Sequence, residues 1–165
     1  MRAPRVGQGF DAHQLVVGKK LWLAGVEVPH DRGLEGHSDG DALLHAVADA
    51  ILGALGEGDL GRHFPSSDPS LKGIASGEIL RQVVALMTQH GYAIGNLDST
   101  IIAQAPRLSP HQEAMHARLC ALLEAAPGDV NLKVTSTDRL GAFGRGEGIA
   151  ALASVLLVPR GPEEE

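Results

Sequence analysis

The chain is 165 residues long, 44% hydrophobic, and carries a formal net charge of −6. That length and apolar content suit one folded unit with a buried core and exclude disorder as the default. The acidic balance lacks the basic stripe needed to track a nucleic-acid backbone, so a phosphorylated ligand would have to be held locally, by a metal, an Arg or backbone N–H groups.

Residues 5–10 predict a short first strand, and residues 21–24 and 26–29 a hairpin about Gly25. The Gly-rich, charged stretch to Gly36 reads as a loop. The clearest helix follows, with Leu43, Leu44, Val47, Ala48, Ile51, Leu52 and Leu55 at helical spacing. Ser38, with Asp41 three residues on, gives it a capping-box-like start. Asp41, His45 and Asp49 fall four apart along one edge of that helix, at the rim of its buried face.

Gly58, Gly61, Pro65, Pro69 and Gly73 make residues 56–73 a long loop, and loops of that length in compact domains often carry function. A second helix is expected over residues 76–90 with Gly91 as its C-cap, then a strand over 97–104. Ser109, Pro110 and Gln112 give an N-cap, a Pro at N1 and a capping-box partner for a third helix that ends before Pro127. Residues 130–134 and 149–158 read as strands, joined by a connection rich in Thr, Ser, Gly and charge. Strands and helices intersperse without strict alternation. We therefore expect an α/β fold, an α+β sandwich with a mixed sheet packed against helices. It would form a single catalytic domain over 1–160 with a polar tail at 161–165. The single Cys120 allows no intrachain disulfide. No apolar run reaches membrane-spanning length, and residues 1–5 precede no signal-like stretch, so a cytoplasmic protein without a membrane partner is expected.

Several constellations can carry chemistry. Asp11 and His13, two apart on an extended strand, point to the same side. Taken alone, Asp-x-His is weak evidence for a metal, and the pair reads more readily as a satisfied turn Asp and a surface His. With His45 they make two imidazoles and a carboxylate, which suit a catalytic zinc that keeps its fourth position for water or substrate; cobalt, manganese and iron accept the same ligand types. At His37, Ser38, Asp39 and Gly40, either Ser38 caps the helix and Asp39 complements its dipole, or the helix start offers N–H groups to an anion beside His37. Asp59, Gly61, Phe64, Pro65 and Asp68 suit a solvated turn with Asx-type hydrogen bonds, the local reading we favour, or a substrate lid. Thr135, Ser136, Thr137 and Asp138, with Arg145, can hold phosphate oxygens and a second metal, or form a polar connection between strands. His30, His63, His90, His111 and His116 show no matching partners, and Cys120, beside Leu119, Leu122 and Leu123, reads as core.

The motifs occur in a fixed order: Gly9-Phe10-Asp11-Ala12-His13, His37-Ser38-Asp39-Gly40-Asp41, His45, Gly58-Asp59-Leu60-Gly61, Phe64-Pro65, Asp68-Pro69, Ile101-Ile102-Ala103-Gln104-Ala105-Pro106, and Gly144-Arg145-Gly146-Glu147-Gly148-Ile149. This ordered set, over about residues 5–158, resembles the 2-C-methyl-D-erythritol 2,4-cyclodiphosphate synthase family of the non-mevalonate isoprenoid pathway. The resemblance implies a homotrimer with active sites at subunit interfaces. It implies Asp11, His13 and His45 as ligands of zinc or another divalent transition metal, and His37 and Ser136 as transition-state stabilisers. Ala12, Ser38, Asp59, Leu60, Gly61, Phe64, Pro65, Ser66, Ser67 and Asp68 match the surroundings of the methylerythritol phosphate. Ala103, Gln104, Ala105, Pro106, Arg107, Leu108 and Ser109, with Thr135, Thr137, Ala142 and Arg145, match the cytidine pocket and its phosphate contacts. Asp138 falls where the family places a Glu ligand of a second metal, magnesium or manganese, on the diphosphate. Phe143, Arg145 and Glu147 match the trimer axis, where some members bind isoprenoid diphosphates. Three positions depart from the family pattern: Ser66 stands for Asp, Asp138 for Glu, and Ala142-Phe143 reverses the usual aromatic-first order.

The implied reaction is intramolecular. The 2-phosphate of the CDP-linked substrate attacks the β-phosphate, and CMP leaves. Such a phosphoryl transfer needs alignment and charge neutralisation more than a protein nucleophile, which fits a chain with no Ser/His/Asp or Cys/His arrangement. Two other readings compete: a zinc phosphohydrolase that delivers water, and a non-enzymatic isoprenoid-diphosphate-binding trimer with a structural metal. The second needs a closed set of four protein ligands, and the sequence offers no clear fourth.

Overall fold

A computed structural model describes residues 2–161. Four strands precede the first helix: β1 (Arg5–Val17), β2 (Leu21–Leu23), β3 (Val26–Val28) and β4 (Arg32–Leu34). Then come α1 (Ala42–Leu55), α2 (Leu60–His63), α3 (Ser76–Gln89), β5 (Tyr92–Ile102), α4 (Gln112–Leu123), β6 (Val130–Thr135), α5 (Gly141–Gly144) and β7 (Gly148–Pro159). The main sheet has the order β4-β1-β7-β5-β6, and β2 and β3 form a separate hairpin. Only β5 and β6 run parallel, so the sheet is mixed as expected.

β1 runs well past residue 10 because pairing, not local pattern, sustains it. Its register with β7 continues from Arg5↔Leu157 to Gln14↔Gly148, and its end then pairs with β4 through Leu15↔Leu34. The stretch to Gly36 therefore contains a strand where a loop was expected; three residues ending in Arg-Gly-Leu carry no period of their own. Two short helices, α2 and α5, were likewise invisible inside glycine-rich connections. At α4 a 3-10 turn over Ser109–His111 precedes the helix, and no side chain caps it. Gln112, expected to fold back as a capping partner, instead donates through Nε2 to the Leu132 carbonyl on β6 at 3.3 Å. Gly91 takes the left-handed conformation just after the C-cap His90.

The start of α1 corrects the sequence reading. Asp41, not Ser38, is the N-cap; its Oδ1 accepts from Leu44 N at 3.1 Å. The same carboxylate accepts from Ala24 N at 3.0 Å and Gly25 N at 2.7 Å, so it is shared between the helix start and the β2–β3 hairpin. Asp41 is fully buried, not at a rim. Burial pushes its carboxyl up to about 6, against the lowering effect of the Gly25 and Leu44 N–H groups. Asp39 accepts from Asp41 N at 3.0 Å and from Ser76 N at 2.9 Å, so it serves the start of α3 as well.

α1 lies across β1 and β7, α3 packs on α1, and α4 packs on α3 and β6. All helices of length thus cover one face of the sheet. α1 is buried on nearly every side: Leu43, Leu44, Val47, Ile51 and Leu52 face the helical layer and core, and Ala46 and Ala50 meet β1. A Cβ on Gly7 would lie 1.9 Å from the Ala50 carbonyl oxygen, and one on Gly9 the same distance from that of Ala46. Strand and helix backbones therefore touch without a side chain between them. Among the described residues the opposite face of the sheet carries no helix; there Val6, Phe10 and Leu152 are 76%, 57% and 45% exposed, with Phe10 paired directly to Leu152. The polar tail expected at 161–165 lies, apart from Gly161, outside the described residues. Among those residues no helix is long and apolar enough to cross a membrane.

Gly9→Ala should overpack the α1–β1 contact and cost about 1–3 kcal/mol or more, because backbone atoms must move. Chemical denaturation would read this as a lower midpoint, whereas Gly128→Ala, in open space, should change the midpoint little.

Candidate metal centre

β1 alternates, and its odd positions face α1, so Asp11 and His13 follow Gly7 and Gly9 toward the helix. One turn into α1, His45 meets them. Asp11 Oδ2 lies 2.6 Å from His13 Nε2 and 2.9 Å from His45 Nδ1, and the two nitrogens are 3.2 Å apart. These three donor atoms form a group that can hold a metal ion.

The outer ring nitrogens decide what the inner ones can do. His13 Nδ1 lies 2.6 Å from the Glu35 carbonyl, an acceptor only, so Nδ1 carries a proton and donates. In the neutral ring Nε2 then presents a lone pair. Two ring lone pairs and a carboxylate converging within hydrogen-bond distance repel one another unless a cation sits among them. The donor set thus fits a divalent metal, and two imidazoles with one carboxylate are ligands of the zinc type. In the metal-free protein a proton serves instead. Burial disfavours charge on His13, but hydrogen bonding and attraction from Asp11 outweigh it and raise the imidazole pKa. Burial likewise opposes ionisation of Asp11, yet the two imidazoles hold its carboxyl down at about 2.

The triad opens onto a cleft of about 400 Å³, lined also by His37, Ser38, Asp49, Leu60, Gly61, Phe64 and Ser66. Its outer wall is the segment 59–68, fixed by turn hydrogen bonds of the kind its sequence suggests. Asp59 caps α2 by accepting from Arg62 N at 3.0 Å. Asp68 accepts from Ser70 N and Oγ, and the Ser70 hydroxyl holds its carboxyl below the usual range. Asp49 accepts from Leu60 N at 2.8 Å and so ties the wall to α1; burial raises its pKa. His37 Nε2 donates to the Asp68 carbonyl at 3.0 Å, closing one end of the cleft.

The remaining predicted residues gather elsewhere. Residues 103–109 leave the carboxyl end of β5, and Thr135, Ser136, Thr137 and Asp138 leave that of β6, side by side because these strands are parallel. Ala103 N donates to Thr135 O at 2.9 Å, and Arg139 N to Gln104 Oε1 at 2.9 Å, joining the two loops. Asp138 is exposed and left-handed, near Ser136 Oγ, and belongs to no group of three or more metal-type donors among the described residues. Phe143 and Glu147 line a small cavity of about 290 Å³ with Ala12 and Ala142, and Arg145 Nε donates to Glu147 at 2.7 Å. Across the sheet, Asp11 pairs with Ala151, Ala151 with Ile101, and Ile101 with Val134. Three strand spacings, about 14 Å, thus separate the triad from the β6 end. Within one chain His37 and Ser136 do not line the same cavity.

Three residues near the triad went unassigned from sequence: Asp49, Asp39 as a tertiary partner, and Ser76. Asp49 had a signal, a carboxylate one turn from a ligand on a buried helix. Ser76 had none, since it lies 31 residues from His45 yet places Oγ 2.9 Å from His45 Nε2. Of the unpartnered histidines, His63 and His116 bond backbone carbonyls, of Glu57 at 2.7 Å and Val130 at 2.8 Å, and His90 meets Glu57. Cys120 is buried, and burial pushes its thiol pKa up.

The model of the YgbB family matches residues 4–158. A 2-C-methyl-D-erythritol 2,4-cyclodiphosphate synthase from Geobacillus kaustophilus is 58% identical over 153 residues, covering 93% of this chain and 97% of the relative. Another from Halalkalibacterium halodurans is 55% identical over 154 residues, covering 93% and 98%. A solved structure of 2C-methyl-D-erythritol-2,4-cyclodiphosphate synthase in a CDP-bound form superimposes with a TM-score of 0.87 at 34% identity, covering 93% of this chain and all of that one.

The two shifts in the triad set a pH window for the metal-free protein. The His13 contribution is present below 6.5 and lost as pH rises through its raised value; that of Asp11 is present above 3.8 and lost as pH falls toward about 2. The melting-temperature difference between metal-free wild type and Asp11→Asn should therefore peak between pH 3.8 and 6.5. Because a metal replaces the His13 proton, its affinity should fall with acid, with proton release visible by calorimetry in buffers of different ionisation enthalpy.

Proposed function

Because the chain belongs to the YgbB family, we infer that it carries out the cyclodiphosphate synthase reaction of isoprenoid precursor biosynthesis. It converts 4-diphosphocytidyl-2-C-methyl-D-erythritol 2-phosphate to 2-C-methyl-D-erythritol 2,4-cyclodiphosphate and releases CMP. The observation that carries the mechanism is the three-donor centre facing a cleft of about 400 Å³, roomy enough for a phosphorylated small molecule. No water enters the products, so the enzyme is a phosphorus–oxygen lyase.

The chain's own contribution is positioning. The segment Asp59, Leu60, Gly61, Phe64, Pro65, Ser66, Ser67 and Asp68 holds the methylerythritol phosphate against Ala12 and Ser38. His37, anchored through Nε2 on the Asp68 carbonyl, faces the reacting phosphates. Residues 103–109 with Thr135, Thr137, Ala142 and Arg145 hold the cytidine and its phosphate, and Ser136 stabilises charge on the transferring group. Ser66, shorter than the family's Asp, engages a substrate hydroxyl through its own hydroxyl. Bringing two phosphates of one molecule into line supplies roughly 7–11 kcal/mol in well-aligned cases. Asp11, His13 and His45 would hold zinc or a similar divalent metal, and Asp138 would give one carboxylate to magnesium or manganese on the diphosphate, cations that polarise phosphoryl oxygens and neutralise the leaving CMP.

The separation of about 14 Å between the triad and the β6 end supports an active site shared between copies, with the cytidine loops of one chain meeting the metal cleft of the next. The uncovered sheet face, with Val6, Phe10 and Leu152, supports a homotrimer packed through those faces. Phe143, Arg145 and Glu147 would then come near the axis, where the Arg145 guanidinium suits an isoprenoid diphosphate. Among the described residues the triad gains no fourth protein donor, which argues against a purely structural metal.

Incubation with the CDP-linked substrate should release CMP and cyclic diphosphate, and a chelator should stop both. Release of CMP with only a linear product would instead identify a hydrolase. His45→Ala and Ser136→Ala should each lose most activity. Co-refolded, the two inactive variants should regain about a quarter of wild-type sites if each site draws on two chains, and none if it draws on one.

A further inference from the structure

The polar atoms behind His45 form a chain that the reaction as described does not use. His45 Nε2 lies 2.9 Å from Ser76 Oγ and 3.0 Å from Ser38 Oγ. Ser76 is fully buried at the first position of α3, and its hydroxyl donates to Asp39 Oδ1. Its backbone N–H donates to Asp39 Oδ2 at 2.9 Å, and Asp41 N donates to Asp39 Oδ1 at 3.0 Å. The Asp39 carboxylate is thus surrounded by donors and fixed in place.

A serine hydroxyl has one proton. Because Ser76 gives its proton to Asp39, only its lone pairs face His45, and Nε2 must be the donor in that contact. A neutral imidazole has a single ring proton, so placing it on Nε2 leaves the Nδ1 lone pair free. Nδ1 is the atom that faces Asp11 at 2.9 Å and His13 at 3.2 Å. Ser38 differs from Ser76. It accepts from Gly40 N at 3.3 Å, lies 3.4 Å from Ser76 Oγ, lines the cleft, and among the described residues has no carboxylate acceptor for its proton.

We propose that Ser76, backed by Asp39, is a positioning residue that fixes His45 as the Nε2–H tautomer, aiming Nδ1 at the metal. This deepens the metal-centre reading and rests on it. Ser76 touches neither metal nor substrate; it acts through His45, and through Asp39 it couples the start of α3 to the ligand on α1.

The test uses the whole chain without substrate, so it stands apart from whether CMP is released. Long-range ¹H–¹⁵N spectra of the metal-free protein report the His45 tautomer, and competition with a chromophoric chelator reports zinc affinity. Wild type should carry a proton on His45 Nε2 throughout and show no Nδ1–H form. Ser76→Ala should show both tautomers and bind zinc about 10–100-fold more weakly. Ser38→Ala should keep the Nε2–H form and bind zinc within roughly threefold of wild type, since the Ser76 partner remains. An unchanged tautomer and affinity in Ser76→Ala would overturn the proposal, as would equal effects of the two serines. If Ser76→Ala does not fold, Asp39→Ala, which removes the acceptor of the Ser76 proton, must mix the tautomers; a pure Nε2–H spectrum there would overturn it too.

Discussion

The direct contact between the α1 backbone and β1 is the constraint on which the site depends. Gly7 and Gly9 leave no side chain on the strand, and Ala46 and Ala50 present almost none on the helix. A close approach at those positions puts the next odd residues of β1, Asp11 and His13, within reach of a histidine one turn into the helix. A larger residue at either glycine would lift the helix by ångströms, and metal ligation tolerates only a fraction of that. The small aromatic content is consistent with this design: an interior of Leu, Val, Ile and Ala packs layers closely without bulky spacers.

The polar residues around that contact are organised as a set of buried and half-buried donors and acceptors, each with a partner at another element. Asp41 joins the hairpin to the helix start, Asp39 joins that start to α3, and Asp49 joins α1 to the cleft wall. Buried carboxylates persist when N–H groups surround them, and otherwise cost several kcal/mol. Here they replace the local caps that the sequence suggested. The same arrangement directs the imidazoles, because the proton on each outer nitrogen is settled by what lies behind the ring.

Legibility in the sequence followed the range of the interactions. The period-3.6 pattern of α1 was plain because its burial repeats within fourteen residues. The candidate donor set was readable because Asp11 and His13 share a strand face and His45 sits on that same helix, and the ordered motifs supplied the family. What escaped was decided at long range. β1 extends through pairing with a strand over a hundred residues away, β4 exists only by pairing, and α1 is capped by a residue whose carboxylate serves two elements. Ser76 is invisible beside His45 until α3 is packed on α1. The placement of the β5 and β6 loops, far from the triad in one chain, follows from strand order, which no local pattern encodes.

The shared Asp41 carboxylate also links motions. If the β2–β3 hairpin lifts, the carboxylate loses the Ala24 and Gly25 N–H groups while still enclosed, and the first turn of α1 loses its anchor. Opening one element therefore penalises the other, so the hairpin and the His45 turn should open as one cooperative unit in amide exchange. The hairpin contributes no donor to the triad, yet it shares one buried carboxylate with the helical turn that carries His45.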